Sequence, residues 1–395
     1  MPPLFFDPRY RAFWLALFAS QFGRWLQNTA FGWLVLEATG SPERLGFVLM
    51  LRFLPAFAFT LPGGALADRF PRARLLLVLE AALAGLSLGL ALALASGGVG
   101  FGGLVAYALA YGSLAALEVP ARQAYNVELA GSARAGQAVA LASLSFNLAR
   151  MLAPALAGGL INGLGAAAPF FLQAAFFLPL VLYLARAPAA GGAGGSRLGY
   201  RALLRGFAYV RRTPLVAGTL LLVASVATLG INFQTLVPAY ARLVLGLDAG
   251  GYGLLMSALG VGAMAGAVAN LLSPRVHPRW MLYGAAGLGL SEVLLAGFPS
   301  VATAALLLAV AGAAMVLTLV SANATVQTLT PDGLRGRVAA IYALVLMGSG
   351  PPGMYLTGLA FALFAGRAPA VLGIGVLAAV LLLWRRPWPR VLTPV

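Results

Sequence analysis

Residues 64–74 read GALADRFPRAR, a short charged segment between two long apolar ones. The flanking segments, about 44–66 and 74–96, each contain roughly 20 mainly apolar residues, the length that crosses the hydrocarbon core of a bilayer. Because charged side chains are largely excluded from that core, residues 64–74 predict a loop at the membrane surface that joins two transmembrane helices.

Composition extends this interpretation to the whole chain. Of its 395 residues, 61% are hydrophobic and 9% are charged, whereas about a quarter of the residues of a soluble domain are charged. Such a chain cannot cover its surface with polar groups, so its solvent must be lipid. We predict an all-α polytopic membrane protein of about twelve transmembrane helices, at approximately 12–37, 44–66, 74–96, 102–122, 136–162, 167–186, 214–240, 251–272, 279–298, 301–327, 337–364 and 368–384.

The positive charge of the chain has a topological explanation. The net charge is +16, and all 26 basic residues are arginine. Twenty of them fall in segments that are cytoplasmic if the N-terminus is inside, and three fall in the outer segments, namely Arg44, Arg242 and Arg367. This asymmetry predicts a bacterial inner-membrane protein with both termini in the cytoplasm. It also accounts for the charge without a nucleic-acid partner.

A polar break at 187–213 divides the chain. It begins with the flexible stretch Gly191–Ser196 and continues as a basic amphipathic helix, of the kind that lies on the cytoplasmic leaflet. The break therefore predicts two six-helix halves, residues 1–186 and 214–395.

The two halves are weakly related to each other. Residues 129–141 (LAGSARAGQAVAL) are similar to residues 329–341 (LTPDGLRGRVAAI), and each segment enters the fifth helix of its half. Parallel six-helix repeats are the architecture of major facilitator transporters. Residues 64–74 also resemble the cytoplasmic signature of this superfamily, with Pro71 in place of its usual glycine and Ala73 in place of a basic residue. We therefore predict the major facilitator fold.

This resemblance implies a gate on the cytoplasmic side. In the superfamily the cluster helps to hold that side shut, and here Asp68 would pair with an arginine of the opposite half. Asp68 also lies near the positive end of the third helix, and Gly64 is expected to let neighbouring helices approach closely. The predicted gate residues are Gly64, Asp68, Arg69, Arg72, Arg74, Arg122, Arg335 and Arg337.

Further motifs resemble one branch of the superfamily. Ser20–Gly23 and residues 147–159 and 331–338 are similar to transmembrane secretion effectors, the branch of enterobactin exporters and macrolide-efflux proteins. This resemblance implies a monomer that exports a small organic molecule in exchange for protons. The fifth helix also resembles the helix 5 motif of drug–proton antiporters, with Ala153 where glycine is usual. A bent, close-packed helix is expected from the residues of this motif, Arg150, Pro154, Gly158 and Gly159.

Polar residues within the apolar spans are the candidate substrate-cavity groups, because a charge at the bilayer centre costs about 3 kcal/mol and usually faces a cavity or a partner. Gln21, Arg24 and Asn28 share one face of the first helix, which favours the central cavity, and a structural polar cluster is the alternative. Arg52 lies nearer the outer side, where an anchor at the membrane interface is the alternative. Arg150 is interpreted as part of a structural pair between helices. The predicted cavity also includes four amides, for which ordinary interhelical hydrogen bonds are the alternative: Asn232, Gln234, Asn323 and Gln327.

The few acidic residues include a candidate for proton coupling. Glu292 lies in the middle of the ninth span, where a carboxyl group is a candidate proton carrier, and a carboxyl bonded to a helix partner is the alternative. Glu80 and Glu118 lie toward the cytoplasmic ends of their spans and predict ion pairs with Arg74 or Arg122. The fourth helix lacks the internal arginine of many proton-coupled drug exporters, so the resemblance leaves the coupling ion open.

The leading functional hypothesis is export of a drug-like compound or siderophore by alternating access and proton antiport. A basic cavity containing Arg24 would favour an anionic substrate. The alternatives are import of a solute, transport of a lysophospholipid, and a membrane sensor or scaffold. One histidine in the chain, His277, and no phosphate-binding loop argue against an enzyme, a metal or cofactor, and direct use of ATP.

Overall fold

The computed structural model describes residues 3–188, 200–272, 278–385 and 388, with the backbone alone for Leu61 and 200–205. The described chain is almost entirely α-helical, which confirms the predicted all-α class. The predicted flexible stretch Gly191–Ser196 and His277 lie outside the described residues. The helices are α1 (Pro8–Thr39), α2 (Pro42–Phe53), α3 (Pro55–Arg69), α4 (Arg72–Ala95), α5 (Phe101–Ala130), α6 (Ala135–Leu164), α7 (Ala168–Arg186), α8 (Tyr200–Arg212), α9 (Pro214–Ser225), α10 (Phe233–Leu243), α11 (Ala249–Leu272), α12 (Arg279–Gly297), α13 (Val301–Leu329), α14 (Asp332–Phe364) and α15 (Ala368–Trp384).

Most of these helices are long enough and apolar enough to cross a bilayer. In the described part of the chain nine helical segments meet this criterion, and the bent pair α2–α3 makes ten. One of the nine, Asp332–Trp384, contains both α14 and α15, which a turn at Ala365–Arg367 separates. The long helix α1 has 32 residues but carries Arg9, Arg11 and Arg24. The helices correspond in position to the predicted spans, and the chain is a multi-pass membrane protein.

The second predicted span is bent rather than straight. α2 ends at Phe53 and α3 begins at Pro55, and the helix axis turns by 49° between Pro42–Thr60 and Pro62–Arg69. A proline has no backbone N–H, and its ring collides with the preceding helical turn. The prolines at 55 and 62 therefore account for the break and the bend.

The seventh predicted span, 214–240, is broken near its middle. α9 runs into a π-helical turn at Val226–Gly230, and the chain leaves the helix before α10 begins. The side-chain amide of Asn232 donates to the carbonyl oxygens of Ala227 (3.2 Å) and Thr228 (2.8 Å). These bonds satisfy carbonyl groups that the break would leave without a helical donor. Broken helices of this kind often lie at functional sites in transporters.

The chain packs as two compact units that differ from a simple division into halves. Unit one comprises the described residues within 1–40, 51–196 and 247–257, and unit two comprises those within 41–50, 197–246 and 258–395. In unit one, α1 packs against α6 and α7, and α4 packs against α5 and α7. In unit two, α12 packs against α13 and α15. Segment 41–50 of the predicted N-terminal half therefore belongs to unit two, and segment 247–257 of the predicted C-terminal half belongs to unit one.

Local sequence determines both ends of α1. The Asp7 carboxylate accepts hydrogen bonds from the backbone N–H groups of Arg9 (3.1 Å) and Tyr10 (3.5 Å), as an N-cap residue does. Desolvation raises the pKa of Asp7, but the backbone hydrogen bonds from Tyr10 and Arg9, together with the Arg134 guanidinium, outweigh it and hold the pKa below its ordinary value. At the other end, Gly40 has a φ of 60°, a left-handed conformation that glycine adopts without steric cost.

The helix α8, within the predicted linker, packs against unit two. Gly206 lies so close to α14 that a Cβ there would be 2.9 Å from the Ile341 Cδ1 atom. The Tyr209 hydroxyl donates to the Leu329 carbonyl oxygen at 2.6 Å. Phe207 is 40% exposed. These contacts attach α8 to unit two and leave an apolar side chain available to the membrane interface.

Candidate functional site

A group of charged side chains is buried inside unit one. The Arg24 Nη2 atom in α1 lies 2.5 Å from Glu80 Oε1 in α4 and 3.2 Å from Glu118 Oε1 in α5. Both carboxylates are fully buried, and the Arg24 side chain is 11% exposed. The predicted pairing of Glu80 with Arg74 is wrong, since Arg74 is exposed and the partner of Glu80 comes from the middle of α1.

Two further contacts complete the Arg24 network, which we define as Ser20, Arg24, Glu80, Glu118 and Arg122. The Arg122 Nε donates to Glu118 Oε1 at 2.8 Å, and the Ser20 hydroxyl donates to Glu80 Oε2 at 3.1 Å. Two arginines and two carboxylates make the network electrically neutral, and this pairing allows charge to remain in an apolar bundle. The Arg24 Nε and Glu118 Oε2 atoms have no hydrogen-bond partner among the described residues. The network can therefore still donate one hydrogen bond and accept another.

Arg52 in α2 is a separate buried cation, 4% exposed. Its Nη2 donates to Gln27 Oε1 and Asn28 Oδ1, both at 2.6 Å, and its guanidinium carbon lies 4.4 Å from the ring centroid of Tyr111. These partners are neutral, and within the described residues the Arg52 Nη1 atom has no partner. The alternative of an anchor at the membrane interface is wrong, because the side chain is enclosed. Arg52 therefore contributes a positive charge that its described neighbours do not neutralise.

The polar face predicted on α1 is divided between these two centres. Arg24 binds the two carboxylates, and Asn28 binds Arg52. Gln21 is 5% exposed and takes part in neither group of hydrogen bonds among the described residues. The Arg24 guanidinium also lies 5.1 Å from the ring centroid of Phe177 in α7. The polar residues predicted for the cavity on α1 thus divide between a neutral network around Arg24 and a cationic centre around Arg52.

The predicted cavity amides of unit two have different roles. Asn232 is 3% exposed, and its amide stabilises the break between α9 and α10, so it is not free for recognition. Gln234 is half-buried in α10. In α13 the Gln327 amide donates to Asn323 Oδ1 at 2.8 Å along one helix, so the interhelical bond considered for this pair is not observed there.

Glu292 in α12 is fully buried against α15. A Cβ placed on Gly373 of α15 would lie 3.0 Å from the Glu292 Cβ atom. Neither carboxyl oxygen of Glu292 has a hydrogen-bond partner in the part of the chain that the structure describes. The alternative of a carboxyl bonded to a helix partner is therefore not observed there, and Glu292 remains a candidate for binding a proton.

Asp68 and Arg72 of segment 64–74 form ion pairs within unit one, and the expected pair of Asp68 with an arginine of the opposite half is not observed among the described residues. Arg72 lies 3.7 Å from Asp68 (Nη2 to Oδ1) and 2.7 Å from Glu128 (Nη1 to Oε2). These contacts connect α3, α4 and α5. The predicted ion pair between Glu118 and Arg122 is confirmed, and it places Arg122, also predicted as a gate residue, in the Arg24 network. The other predicted gate arginines are exposed or half-buried near helix ends: Arg69, Arg74, Arg335 and Arg337.

Gly63, rather than Gly64, is the glycine at which α3 closely approaches α5. A Cβ on Gly63 would lie 2.9 Å from the Leu117 Cα and 3.0 Å from the Leu117 carbonyl oxygen. A Cβ on Gly64 would meet no heavy atom within 4 Å. The predicted close approach at Gly64 is wrong by one residue, which corresponds to a rotation of about 100° around the helix.

This difference gives a matched pair of substitutions. We expect Gly63→Val to lower the free energy of unfolding by about 1–3 kcal/mol, because the new side chain overlaps the backbone of α5. Gly64→Val introduces the same side chain into open space and is expected to leave the thermal midpoint nearly unchanged. Thermal unfolding of both purified variants in detergent measures the difference, and equal midpoints would contradict the assignment.

Close packing in the predicted helix 5 motif belongs to Gly158. A Cβ on Gly158 would collide with the carbonyl oxygen of Ala249 at the start of α11, whereas a Cβ on Gly159 would meet no heavy atom within 4 Å. One helical turn further, the Asn162 amide donates to Asp248 Oδ2 at 2.7 Å. These contacts hold the first residues of α11 against the C-terminal end of α6 in unit one.

The other motif residues in α6 act locally. Arg150 donates to Asn147 Oδ1 at 2.7 Å on its own helix, so the interhelical pair predicted for Arg150 is not observed among the described residues. Pro154 lies inside α6, and the backbone N–H of the next residue, Ala155, donates to the Ser257 hydroxyl at 3.1 Å. A side chain of α11 thus engages the backbone of α6 directly beside the proline.

Sequence comparisons relate this chain to known transporters. The profile of the transmembrane secretion effector family matches residues 3–392. An enterobactin exporter of Salmonella typhimurium (strain LT2) is 28% identical over 397 residues, a match that covers 95% of this chain and 91% of the relative. A staphyloferrin A transporter of Staphylococcus aureus (strain NCTC 8325) is 25% identical over 264 residues, a match that covers 64% of each protein.

Solved structures show the same fold. The nucleoside transporter NupG has a TM-score of 0.74 at 14% identity, covering 96% of this chain and 100% of NupG. A D-xylose–proton symporter has a TM-score of 0.74 at 17% identity, covering 96% of this chain and 98% of the symporter. At these identities the likeness concerns the arrangement of helices and does not extend to the substrate.

Proposed function

Because the chain belongs to the transmembrane secretion effector family and has the major facilitator fold, we propose that it exports a small organic molecule in exchange for protons. Members of this fold and family are transporters, and the chain is not an enzyme. In this proposal the protein is a monomer of the bacterial inner membrane with both termini in the cytoplasm, as the arginine distribution predicts. Transport proceeds by alternating access to a site near the bilayer midplane.

The substrate class is inferred from Arg52 and from the relatives. Arg52 is buried among neutral partners in the described chain, and a buried cation is stabilised by an anion. Arg24 is a weaker candidate, because Glu80 and Glu118 already neutralise it. The names of two relatives refer to siderophores, enterobactin and staphyloferrin A. We therefore infer an acidic organic substrate of the siderophore class, with an anionic group that binds Arg52.

One observation carries the proposal of proton coupling: two fully buried carboxylates both pair with Arg24, which thereby connects three helices. Carboxylates can bind and release protons, and a proton bound to Glu80 removes the charge that attracts Arg24. The electrostatic attraction between α1 and α4 is then lost. Protonation of Glu80 thereby changes how firmly α1 is held within unit one.

The sign of the coupling limits how the proton acts. A proton added to the neutral Arg24 network makes unit one more positive, and direct electrostatics would then favour binding of an anion. Exchange of an anion for protons requires instead that a bound proton weaken the binding of the anion. In this proposal the proton therefore acts through conformation, by breaking the ion pair between α1 and α4 and favouring the substrate-free state. Direct attraction alone would move anion and proton in the same direction.

Transport in proteoliposomes tests the proposal. Movement of catecholate and carboxylate siderophores is measured under an imposed pH gradient, while valinomycin and equal potassium concentrations clamp the membrane potential. The wild type is expected to accumulate substrate in the direction opposite to proton flow. Glu80→Gln is expected to abolish this response to the gradient and to retain movement of substrate down its own gradient.

Glu292→Gln is the matched comparison, because it makes the same change at the other candidate proton carrier. Loss of the response in Glu292→Gln alone would assign the proton to α12 and remove Glu80 from the mechanism. Substrate and protons moving in the same direction would contradict exchange. Substrate movement that ignores the gradient in the wild type would rule out proton coupling.

A further inference from the structure

A groove of about 1160 Å³ opens between α1, α5 and α7 in unit one. Its apolar wall includes Leu15 and Leu182, which are 52% and 54% exposed. Arg9 and Arg186 also line the groove, at its opposite end. The transport mechanism proposed above uses none of these side chains.

The charge at the arginine end of the groove is positive. Arg9 and Arg186 are exposed, and neither forms an ion pair with a described residue. Glu128 also lines the groove, but its carboxylate lies 2.7 Å from the Arg72 guanidinium, which neutralises it. Two arginines therefore remain available to an anionic ligand.

The depth of these residues corresponds to the dimensions of a lipid. Arg9 lies in the first turn of α1 and Arg186 is the last residue of α7, so both are placed where the helices leave the membrane on the predicted cytoplasmic side. Leu15 and Leu182 lie at least one turn deeper along the same helices. Tyr183, which also lines the groove, donates its hydroxyl to the Arg9 carbonyl oxygen at 3.4 Å and links the two walls. Basic pockets between transmembrane helices on this side are suited to anionic head groups.

We propose that this groove binds an anionic glycerophospholipid of the cytoplasmic leaflet, with its phosphate between Arg9 and Arg186 and an acyl chain along Leu15 and Leu182. A zwitterionic lipid with the same chains makes the apolar contacts without the charge complementarity. A free phosphate ester makes the charged contacts without the apolar ones. The lipid site requires both parts, and it does not depend on the substrate or on proton coupling.

Native mass spectrometry of the detergent-purified protein tests the site. Phosphatidylglycerol and phosphatidylcholine with identical acyl chains are titrated separately, and glycerol phosphate is added as a competitor. We expect phosphatidylglycerol to bind about tenfold more tightly than phosphatidylcholine, and the double variant Arg9→Gln/Arg186→Gln to lose this preference. The control variant Arg11→Gln/Arg367→Gln also removes two positive charges, but outside the groove. It is expected to keep the preference for phosphatidylglycerol.

Equal affinity for the two lipids in the wild type would overturn the proposal, as would equal loss of preference in the control variant. Effective competition by glycerol phosphate would indicate a site for free phosphate esters and would also overturn it. If the double arginine variant does not fold, Leu182→Ser provides the second measurement. This variant is expected to weaken both lipids by the same factor, and unchanged affinities would place the lipid elsewhere.

Discussion

Arg24→Gln is expected to destabilise the protein by about 3–5 kcal/mol, because it leaves two fully buried carboxylates without their shared partner. Glu118 keeps its ion pair with Arg122, but Glu80 keeps only the hydrogen bond from Ser20. An uncompensated buried charge is among the costliest defects that a single substitution can produce. Thermal and denaturant unfolding in detergent, followed by tryptophan fluorescence, measures the loss.

The double variant Arg24→Gln/Glu80→Gln is the control for this prediction. It removes one charge of each sign and leaves the Glu118–Arg122 pair, so most of the stability is expected to return. Transport driven by a pH gradient is expected to be absent from the double variant, as from Glu80→Gln, because residue 80 can no longer bind and release a proton. A double variant that is no more stable than Arg24→Gln would show that the ion pair with Glu80 does not account for the effect.

Gly158→Val is expected to have the second large effect, because its side chain would overlap the first turn of α11. A Cβ at this position would collide with the Ala249 carbonyl oxygen and lie 2.9 Å from the Gly250 Cα atom. Both neighbours are backbone atoms and cannot rotate away, so we expect a loss of about 3 kcal/mol, at the upper end of overpacking substitutions. Gly159→Val adds the same side chain at an exposed position and is expected to change stability little.

Chemical cross-linking gives a local measurement of the same effect. The chain contains no cysteine, so cysteines placed at 162 and 248, whose native side chains are 2.7 Å apart, would be its only thiols. A short bifunctional thiol reagent is expected to join them efficiently in the Gly159→Val background and poorly in the Gly158→Val background. Equal cross-linking in the two backgrounds would contradict a displacement of α6 from α11.

The positions of the helices were predictable because the bilayer imposes a length and a polarity that are visible in the sequence. The bend at Pro62 also had a visible signal, since a proline in an apolar span disrupts a helix. The break after α9 had a weaker signal, because Val226–Gly230 contains no proline and only Gly230 and the following Asn232 disfavour a helix. Its π-helical turn depends on bonds that the Asn232 side chain makes after the chain has folded.

The site was predictable in residue type but not in pairing. The buried polar residues of α1 and α2 were visible as intramembrane residues. Only the folded structure shows that Arg24 meets carboxylates from α4 and α5, whereas Arg52 meets neutral amides. The burial of Glu80 did have a signal in the sequence, because the chain is apolar on both sides of it, from Leu75 to Leu79 and from Ala81 to Leu83. The prediction missed this signal because it placed Glu80 near the cytoplasmic end of its helix. The difference between Gly63 and Gly64 had no signal, because two adjacent glycines cannot be distinguished until the helix has a neighbour.

The exchanged segments have a consequence for biogenesis. Residues 41–50 are synthesised early but belong to unit two, and residues 247–257 are synthesised late but belong to unit one. A nascent chain that ends after α7 therefore lacks residues 247–257, which contact Gly158 and Asn162. It also lacks α14, against which residues 41–50 pack. Neither unit can finish assembling while the ribosome is still in the first half of the message. Chains truncated between α7 and α11 should consequently be preferred substrates of membrane quality-control proteases, although every helix inserted up to that point is intact.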